Sequence, residues 1–422
     1  MLWAAFKPVV EGDGVSYYAW QPTLLTEHSL DFSDAYRAAF AAHVTVNAEQ
    51  LTTQTATGHL ANFFPIGPAL LAAPAYLLHP SDTAFVLGSL LFGLLGLALA
   101  YRLGSLLVDR RFALIGSLAA ALATPFVYYL LYEPSYSHTF SAFGVGLFLW
   151  AWWRGREDRG IAGWLVLGLL GGLMALVRFQ DGPLLAIALL DWPRARWRVL
   201  LLVPGALLAF APQLLADLYL FGTWLPQRPA GQDLQPLPGH YLEVLFSTWH
   251  GLLTWSPIVL LAAAGIALLR RPAFQVAAAY AFLVELALNG AAPDWWGGYA
   301  FGARRFLDLT PFIAVGLAAL AQRLPTAVAW VSTAVFAAWN VLLVANLTYV
   351  IRADRDPGLP GLLAGQLTAV AHLPNLLAQG VVVRDLLLWR PFAPAEGLVL
   401  ALLEGLCLVA AVTLARIRWR AG

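Results

Sequence analysis

Apolar runs separated by short polar turns recur along nearly the whole chain, and that alternation is its strongest signal. Runs long enough to cross a bilayer, roughly 17 to 25 residues each, fall near 84–101, 111–131, 137–153, 161–178, 199–221, 252–269, 274–290, 326–350 and 398–415. Shorter apolar candidates occupy 183–190 and 308–322, and a stub at 1–10 opens the chain. The pattern predicts an all-α fold, a polytopic transmembrane helical bundle of about eleven to twelve crossings. A ten-residue helix rises only about 15 Å, so the stub cannot cross alone. Either the first helix is half-length or the start is misplaced, and we read a misplaced start. The stub has neither a basic leading region nor a small-residue cleavage site, so it does not read as a signal peptide.

Arginines orient the bundle, because short cytoplasmic turns collect positive charge. Arg102, Arg110 and Arg111, then Arg154, Arg156 and Arg159, then Arg194, Arg196 and Arg198, then Arg270 and Arg271, then Arg323, and finally Arg416, Arg418 and Arg420 all sit in such turns. The expectation is both termini in the cytoplasm and the longer segments 11–83, 222–251, 291–307 and 351–397 on the outer face. Within the first of these, the run from Phe63 to Leu78 carries Pro65, Pro68 and Pro74. Prolines that frequent disrupt a helix interior, and counting the run as a crossing would put the arginine turns outside, so it reads as an amphipathic interfacial helix. The segment 351–397, with weak apolar pieces at 361–371 and 375–388, reads as short helices over the outer surface. This divides the chain at 350: a transmembrane domain over 1–350 that includes outer loop 11–83, then 351–422 with its final crossing.

Composition agrees with the pattern. Hydrophobic residues make up 60% and charged residues 12%, against about 25% charged in soluble proteins, and mean hydropathy is +0.70. A net charge of +1 gives no reason to expect a nucleic-acid partner. The single cysteine, Cys407, excludes an intrachain disulfide.

The polar residues that bear on chemistry gather in the outer segments. Glu11-Gly12-Asp13-Gly14-Val15-Ser16-Tyr17-Tyr18 places an acid between glycines, which let backbone approach a ligand closely, beside Tyr17, Tyr18 and Trp20, on which a sugar ring can stack. Asp13 is the candidate catalytic base, with Asp31 and Asp34 as weaker members; the plain alternative is a solvated loop. The second constellation runs Asp294-Trp295-Trp296-Gly297-Gly298-Tyr299-Ala300-Phe301-Gly302-Ala303-Arg304-Arg305-Phe306. An interfacial aromatic belt explains part of it. Adjacent arginines on the face away from the cytoplasm run against the charge bias, however, and guanidinium binds phosphate through paired donors. Glu133 and His138, then Arg178, Gln180 and Asp181, then His250 add polar groups at outer helix ends, where capping and local ion pairs compete with a binding role. Asp217 and Glu285 lie near outer ends of apolar runs and are expected to reach the interface. Glu404 lies deeper, either as a packing partner of a polar residue such as Asn340 or as a proton relay. No zinc-ligand spacing and no phosphate loop is present, so nucleotide sugars and ATP are not expected substrates, and no cofactor is assigned; a divalent metal stays open.

Three stretches, GDGVSYYAW, NFFPIGPALLAAPAYLL with the following turn YRLGSLLVDRR, and WWGGYAFGARRFLDLTPF, together resemble the GT-C superfamily of polytopic glycosyltransferases. The likeness is to the bacterial relatives of protein O-mannosyltransferases and of the lipid A aminoarabinose transferase, and it covers the N-terminal two-thirds best. The resemblance implies transfer of a sugar from a polyprenyl-phosphate carrier to a glycan, lipid or protein acceptor, with inversion, at the outer face of a bacterial inner (plasma) membrane. It implies that Asp13 deprotonates the acceptor and that Arg304 and Arg305 hold the departing phosphate with help from Arg178. Tyr17, Tyr18, Asp34, Glu133, His138, Asp181, His250, Trp296 and Tyr299 are the further candidates for substrate contact. Two rival classes remain: a secondary transporter, which calls for ionisable groups near the bilayer midplane and interrupted helices in two halves, and a lipid-handling membrane protein without catalysis.

Overall fold

The computed structural model describes residues 9–349 and 355–378. Among them the regular structure is helical, apart from one isolated bridge between Gln54 and Leu60. The principal helices are α1 (Asp13–Gln21), α2 (Ser33–Ala41), α3 (Gly67–Leu78), α4 (Asp82–Gly104), α5 (Arg110–Leu122), α6 (His138–Arg154), α7 (Ile161–Val177), α8 (Leu202–Phe221), α9 (Ile258–Leu268), α10 (Pro272–Gly290), α11 (Thr310–Ala321), α12 (Thr326–Tyr349) and α13 (Gly358–Ala378). The stretches 82–104, 179–221, 272–290 and 326–347 are long and apolar enough to cross a bilayer. The stub before residue 9, the apolar piece beyond 378, the final crossing, Glu404 and Cys407 lie outside the described residues.

Local chemistry sets the helix ends. Ser81 caps α4, its hydroxyl accepting from the Ala84 amide, while Asp82 in the first turn and Arg102 in the last complement the helix dipole. Gly222 closes α8 in the left-handed conformation. Proline breaks two of the apolar runs. The run 111–131 stops at the end of α5 and resumes after Pro125 as the short helix Phe126–Leu131, and the run 252–269 is cut at Pro257. The candidate at 183–190 lies in a 3-10 stretch, Phe179–Asp191, which contains Pro183 and continues through a second 3-10 turn, Arg196–Leu201, into α8.

Small residues let the helices meet closely. Gly168 and Gly172 of α7 face the carbonyls of Leu202 and Ala206 on α8, and Gly205 faces the Leu165 carbonyl, so a Cβ at any of the three would collide with backbone. One core gathers Phe148, Leu149, Trp152, Phe274 and Phe312. A second, richer in aromatics, gathers Trp20, Phe32, Phe85, Phe126, Tyr129 and Trp255, and it ties the first loop to the bundle.

Two expectations change, and the partners of Asn340 come into view. Helix α3 is apolar on both sides, burying Ala69, Ala72 and Tyr76 while exposing Leu70, Leu77 and Leu78, so it is not two-faced. Asp217 and Glu285 do not reach a surface: both are buried, Asp217 accepting from Gln213 on its own helix and Glu285 from Gln180 and Asn289. The Asn340 amide is engaged by the end of α5, donating to the Leu122 and Thr124 carbonyls at 3.0 and 2.9 Å.

Two of the arginine turns meet. Arg156 donates twice to Asp191 Oδ1, at 3.0 and 2.7 Å, and Arg194 lies 3.7 Å from the same oxygen. These turns follow the C-terminal end of α6. Its N-terminal end, about 25 Å away at helical rise, carries His138 and the cluster below.

Candidate functional site

Asp13 is the first residue of α1, and Gly12 before it has a φ of +58°. A side chain there would be strained and would run into the Tyr136 hydroxyl. The turn this glycine allows delivers Asp13 Oδ2 to 2.8 Å from Arg304 Nη1, across 291 positions of sequence. Arg304 keeps 10% of its side chain exposed and Asp13 30%, so the guanidinium is enclosed while the carboxylate stays reachable. Tyr136 puts its ring 4.9 Å from the Arg304 guanidinium carbon. Burial works against the charge on Arg304, but Asp13, Tyr129, Tyr136 and Glu133 outweigh it and hold its pKa above the ordinary value.

The arginine-bearing loop is pinned by backbone contacts. Positive φ at Gly297, Gly298 and Gly302 shapes it, and the Phe301 amide donates to the Tyr129 hydroxyl at 2.9 Å. Tyr128 stacks on the Phe301 ring and donates to Glu133 Oε1 at 3.0 Å. Arg305 turns the other way and pairs with Asp294 at 2.5 Å. Burial pulls its pKa down and Asp294 partly restores it. Arg178, just past α7, donates to Gln180 Oε1 at 2.7 Å and to the Arg305 carbonyl at 3.2 Å, so it braces this loop from behind.

Beneath the arginines lies a second cluster. Asp181, Glu285 and Asp308 are fully buried, with one carboxylate oxygen of each within 4.8 Å of the others, a spacing at which the three could hold a metal ion. Ser141 donates to Asp181 at 2.6 Å. His138 is buried against the rings of Tyr129 and Tyr136.

A cleft opens beside Arg304 and Arg305, walled by His250, Asn289, Trp295 and Trp296. Trp296 stacks on Trp249 with ring centroids 4.6 Å apart. His250 occupies a φ of +65°, unusual for a residue with a side chain. Its Nδ1 lies 2.8 Å from the Trp296 carbonyl. Burial pushes its pKa down to about 4 against the pull of that carbonyl, so at neutral pH the ring is uncharged and the contact calls for the Nδ1–H tautomer as donor. Planar aromatic walls with a few convergent donors suit a sugar ring carrying a phosphate.

Asp13, Glu133, His138, Arg178, Asp181, His250, Trp296, Arg304 and Arg305 therefore occupy one region. Tyr17 borders it, giving its ring edge to Phe64 and its hydroxyl to Ser137 at 2.8 Å; burial pushes its pKa up to about 12. Four candidates point elsewhere. Tyr18 packs on the rings of Tyr76 and Phe85. Tyr299 is 72% exposed. Asp34 sits exposed on α2, paired with Arg37 at 2.6 Å, and Asp31 is held by Ser33, because the turn after α1 carries both away from Arg304. The sequence reading overlooked Tyr136, Asp308 and the inward direction of Glu285. An aromatic three positions after Glu133 was the available signal for the first; acids inside apolar runs were the signal for the others.

Residues 64–215 match the dolichyl-phosphate-mannose-protein mannosyltransferase family. The fold is similar to ArnT from Cupriavidus metallidurans in the apo state, with a TM-score of 0.55 and 15% identity over 91% of this chain and 71% of that one. It is similar also to the same protein bound to undecaprenyl phosphate, with a TM-score of 0.54 and the same identity and coverage. No curated protein matches the sequence. The family match is thus confined to 64–215, and the likeness to ArnT shows a shared fold across most of the chain.

Proposed function

We propose that this chain, with its GT-C fold, moves a hexosyl or pentosyl group from a polyprenyl-phosphate carrier to a hydroxyl of a glycan, lipid or protein acceptor at the outer face of the plasma membrane. The observation that carries the reading is the 2.8 Å pair between Asp13 and Arg304. A reachable carboxylate beside an enclosed guanidinium supports the assignment of base and phosphate clamp to neighbouring groups. The ArnT structure with undecaprenyl phosphate adds a fold relative that binds such a carrier.

In the proposed reaction Asp13 takes the acceptor's hydroxyl proton as the oxygen attacks the anomeric carbon. The bond from that carbon to the phosphate oxygen breaks, its electrons leave with the polyprenyl phosphate, and the centre inverts in a single displacement. Arg304 and Arg305 neutralise the charge that develops on the leaving oxygen, a larger contribution than the proton transfer. Trp296 and the neighbouring aromatic wall seat the sugar. The meeting of the Arg156 and Arg194 turns at the other end of α6 from His138 supports the outer location.

The test uses the full chain in liposomes with a radiolabelled polyprenyl-phosphate sugar and membrane extract as acceptor source. The expected result is label in the acceptor together with stoichiometric polyprenyl phosphate. Label that crosses the bilayer with its carrier bond intact would instead establish transport and overturn the reading.

A further inference from the structure

We infer that Asp181, Glu285 and Asp308 form a binding site for one hard divalent cation, of the Mg2+ or Ca2+ kind, beneath the arginine-bearing loop. Each carboxylate has one oxygen held by a donor. Ser141 holds Asp181 Oδ2 at 2.6 Å, the Leu309 amide holds Asp308 Oδ1 at 2.8 Å, and the Gln180 and Asn289 amides hold Glu285 Oε2. The second oxygen of each, Asp181 Oδ1, Asp308 Oδ2 and Glu285 Oε1, is buried and receives no hydrogen bond from outside the cluster. Asp308 stands between the other two, so what these oxygens face is one another.

Three carboxylates buried this close together call for a cation or shared protons among them, and the bare inward-facing oxygens suit a cation. No arginine makes an ion pair with any of the three among the described residues, and the nearby Arg178 donates instead to Gln180 and the Arg305 carbonyl. One oxygen fixed by an outer donor and the other presented bare is how ligating carboxylates are oriented. An all-oxygen donor set selects hard cations over zinc or copper. Asn289, which lines the cleft, donates to Glu285 at 3.1 Å and so joins the cluster to the cleft wall.

The position gives the ion a task. Asp308 lies in the same 3-10 turn as Arg304 and Arg305, Arg304–Leu309. Gln180, bonded to Glu285, also donates to the Arg305 carbonyl at 3.0 Å. A cation there would lock the turn that aims both guanidinium groups. The inference rests on the cluster alone and stands apart from the transfer reaction.

The probe is Mn2+, titrated into the full chain in detergent after chelator treatment and followed by electron paramagnetic resonance, with Mg2+ and Ca2+ as competitors. One Mn2+ per chain is expected, displaced by Mg2+ or Ca2+, with a raised thermal unfolding midpoint. Affinity should fall by about 10- to 100-fold or more in Asp308→Asn and in Glu285→Gln, while Asp34→Asn binds as wild type. Folded wild-type protein that takes up no Mn2+ at millimolar concentration overturns the inference, because the carboxyls are then neutralised by shared protons. Equal binding in wild type and both isosteric variants overturns it too, and the wild-type titration decides even if a variant fails to fold.

Discussion

Removing both partners of the Asp13–Arg304 pair should cost less than the sum of removing each alone. Arg304 keeps only 10% of its side chain exposed and its Nε receives no partner, so the compensation for its buried charge is mainly Asp13 at 2.8 Å and the face of Tyr136 at 4.9 Å. Breaking a buried pair from one side typically costs about 3–5 kcal/mol. Asp13 is 30% exposed, which screens the interaction, and Asn keeps an acceptor, so the expected loss for Asp13→Asn is about 2 kcal/mol. Arg304→Gln should lose a similar amount, and the double variant should fall short of the sum by about 1–2 kcal/mol. Equilibrium unfolding of the four proteins in mixed detergent measures that difference. Catalytically, Asp13→Asn should lower transfer by about 10² to 10⁴-fold while carrier binding changes little, and Asp34→Asn should be mild. Additivity within about 0.5 kcal/mol would refute the energetic argument. Near-wild-type transfer by Asp13→Asn would independently remove the base.

Further outcomes follow from the same geometry. Replacing Arg304 or Arg305 with lysine keeps the charge but loses the paired planar donors, so donor turnover should drop about tenfold, roughly 1.4 kcal/mol; wild-type turnover in both variants would leave an interfacial belt as the better account. In a Cys407→Ser background, Ala42→Cys should react with an impermeant thiol reagent in intact cells and Arg198→Cys should not, and the opposite pattern would invert the proposed topology. His250 binds its proton less readily folded, at about 4, than unfolded, at about 6.5. The unfolded chain therefore holds more protons between those values, and stability is lost as pH falls from about 6.5 to 4, by an amount on the order of 3 kcal/mol. His250→Gln should flatten that part of the stability–pH profile, and an unchanged slope would show that the ring does not titrate as argued.

The bundle was legible because a membrane solvent leaves few options: apolar runs had to become helices, and arginine turns had to gather. Breaks inside the runs were less legible. Pro125 and Pro257 were visible, yet the local hydrophobicity of 111–131 and 252–269 gave no hint that helix stops and restarts there. The candidate residues were visible as types, since acids and arginines are conspicuous in a chain only 12% charged. Their partners were not. Asp13 and Arg304 are 291 positions apart, and nothing in either segment names the other. Glu285 and Asp308 were hidden by a sound rule, that an acid near the end of an apolar run reaches for the interface; here Gln180, Asn289 and the Leu309 amide supply inside the protein the donors that water would have supplied outside.

The two arginines also differ in what they ask of a phosphate. Each is already neutralised, Arg304 by Asp13 and Arg305 by Asp294. Under the proposed reaction a carrier phosphate therefore exchanges with a carboxylate and adds no charge to a vacant cation, so its binding gains only the difference between two good ion pairs. An exchange keeps the enclosed Arg304 paired throughout, avoiding the cost of an uncompensated buried charge. It has a further consequence at Asp13 alone. Asp294 leaves a pair at the cleft with no assigned task, whereas Asp13, displaced from Arg304, becomes free to accept a proton at the step that brings the donor in. A base that is occupied until its substrate's phosphate arrives would couple donor binding to acceptor activation. That coupling distinguishes the Arg304 pair from the Arg305 pair, although both look alike as salt bridges.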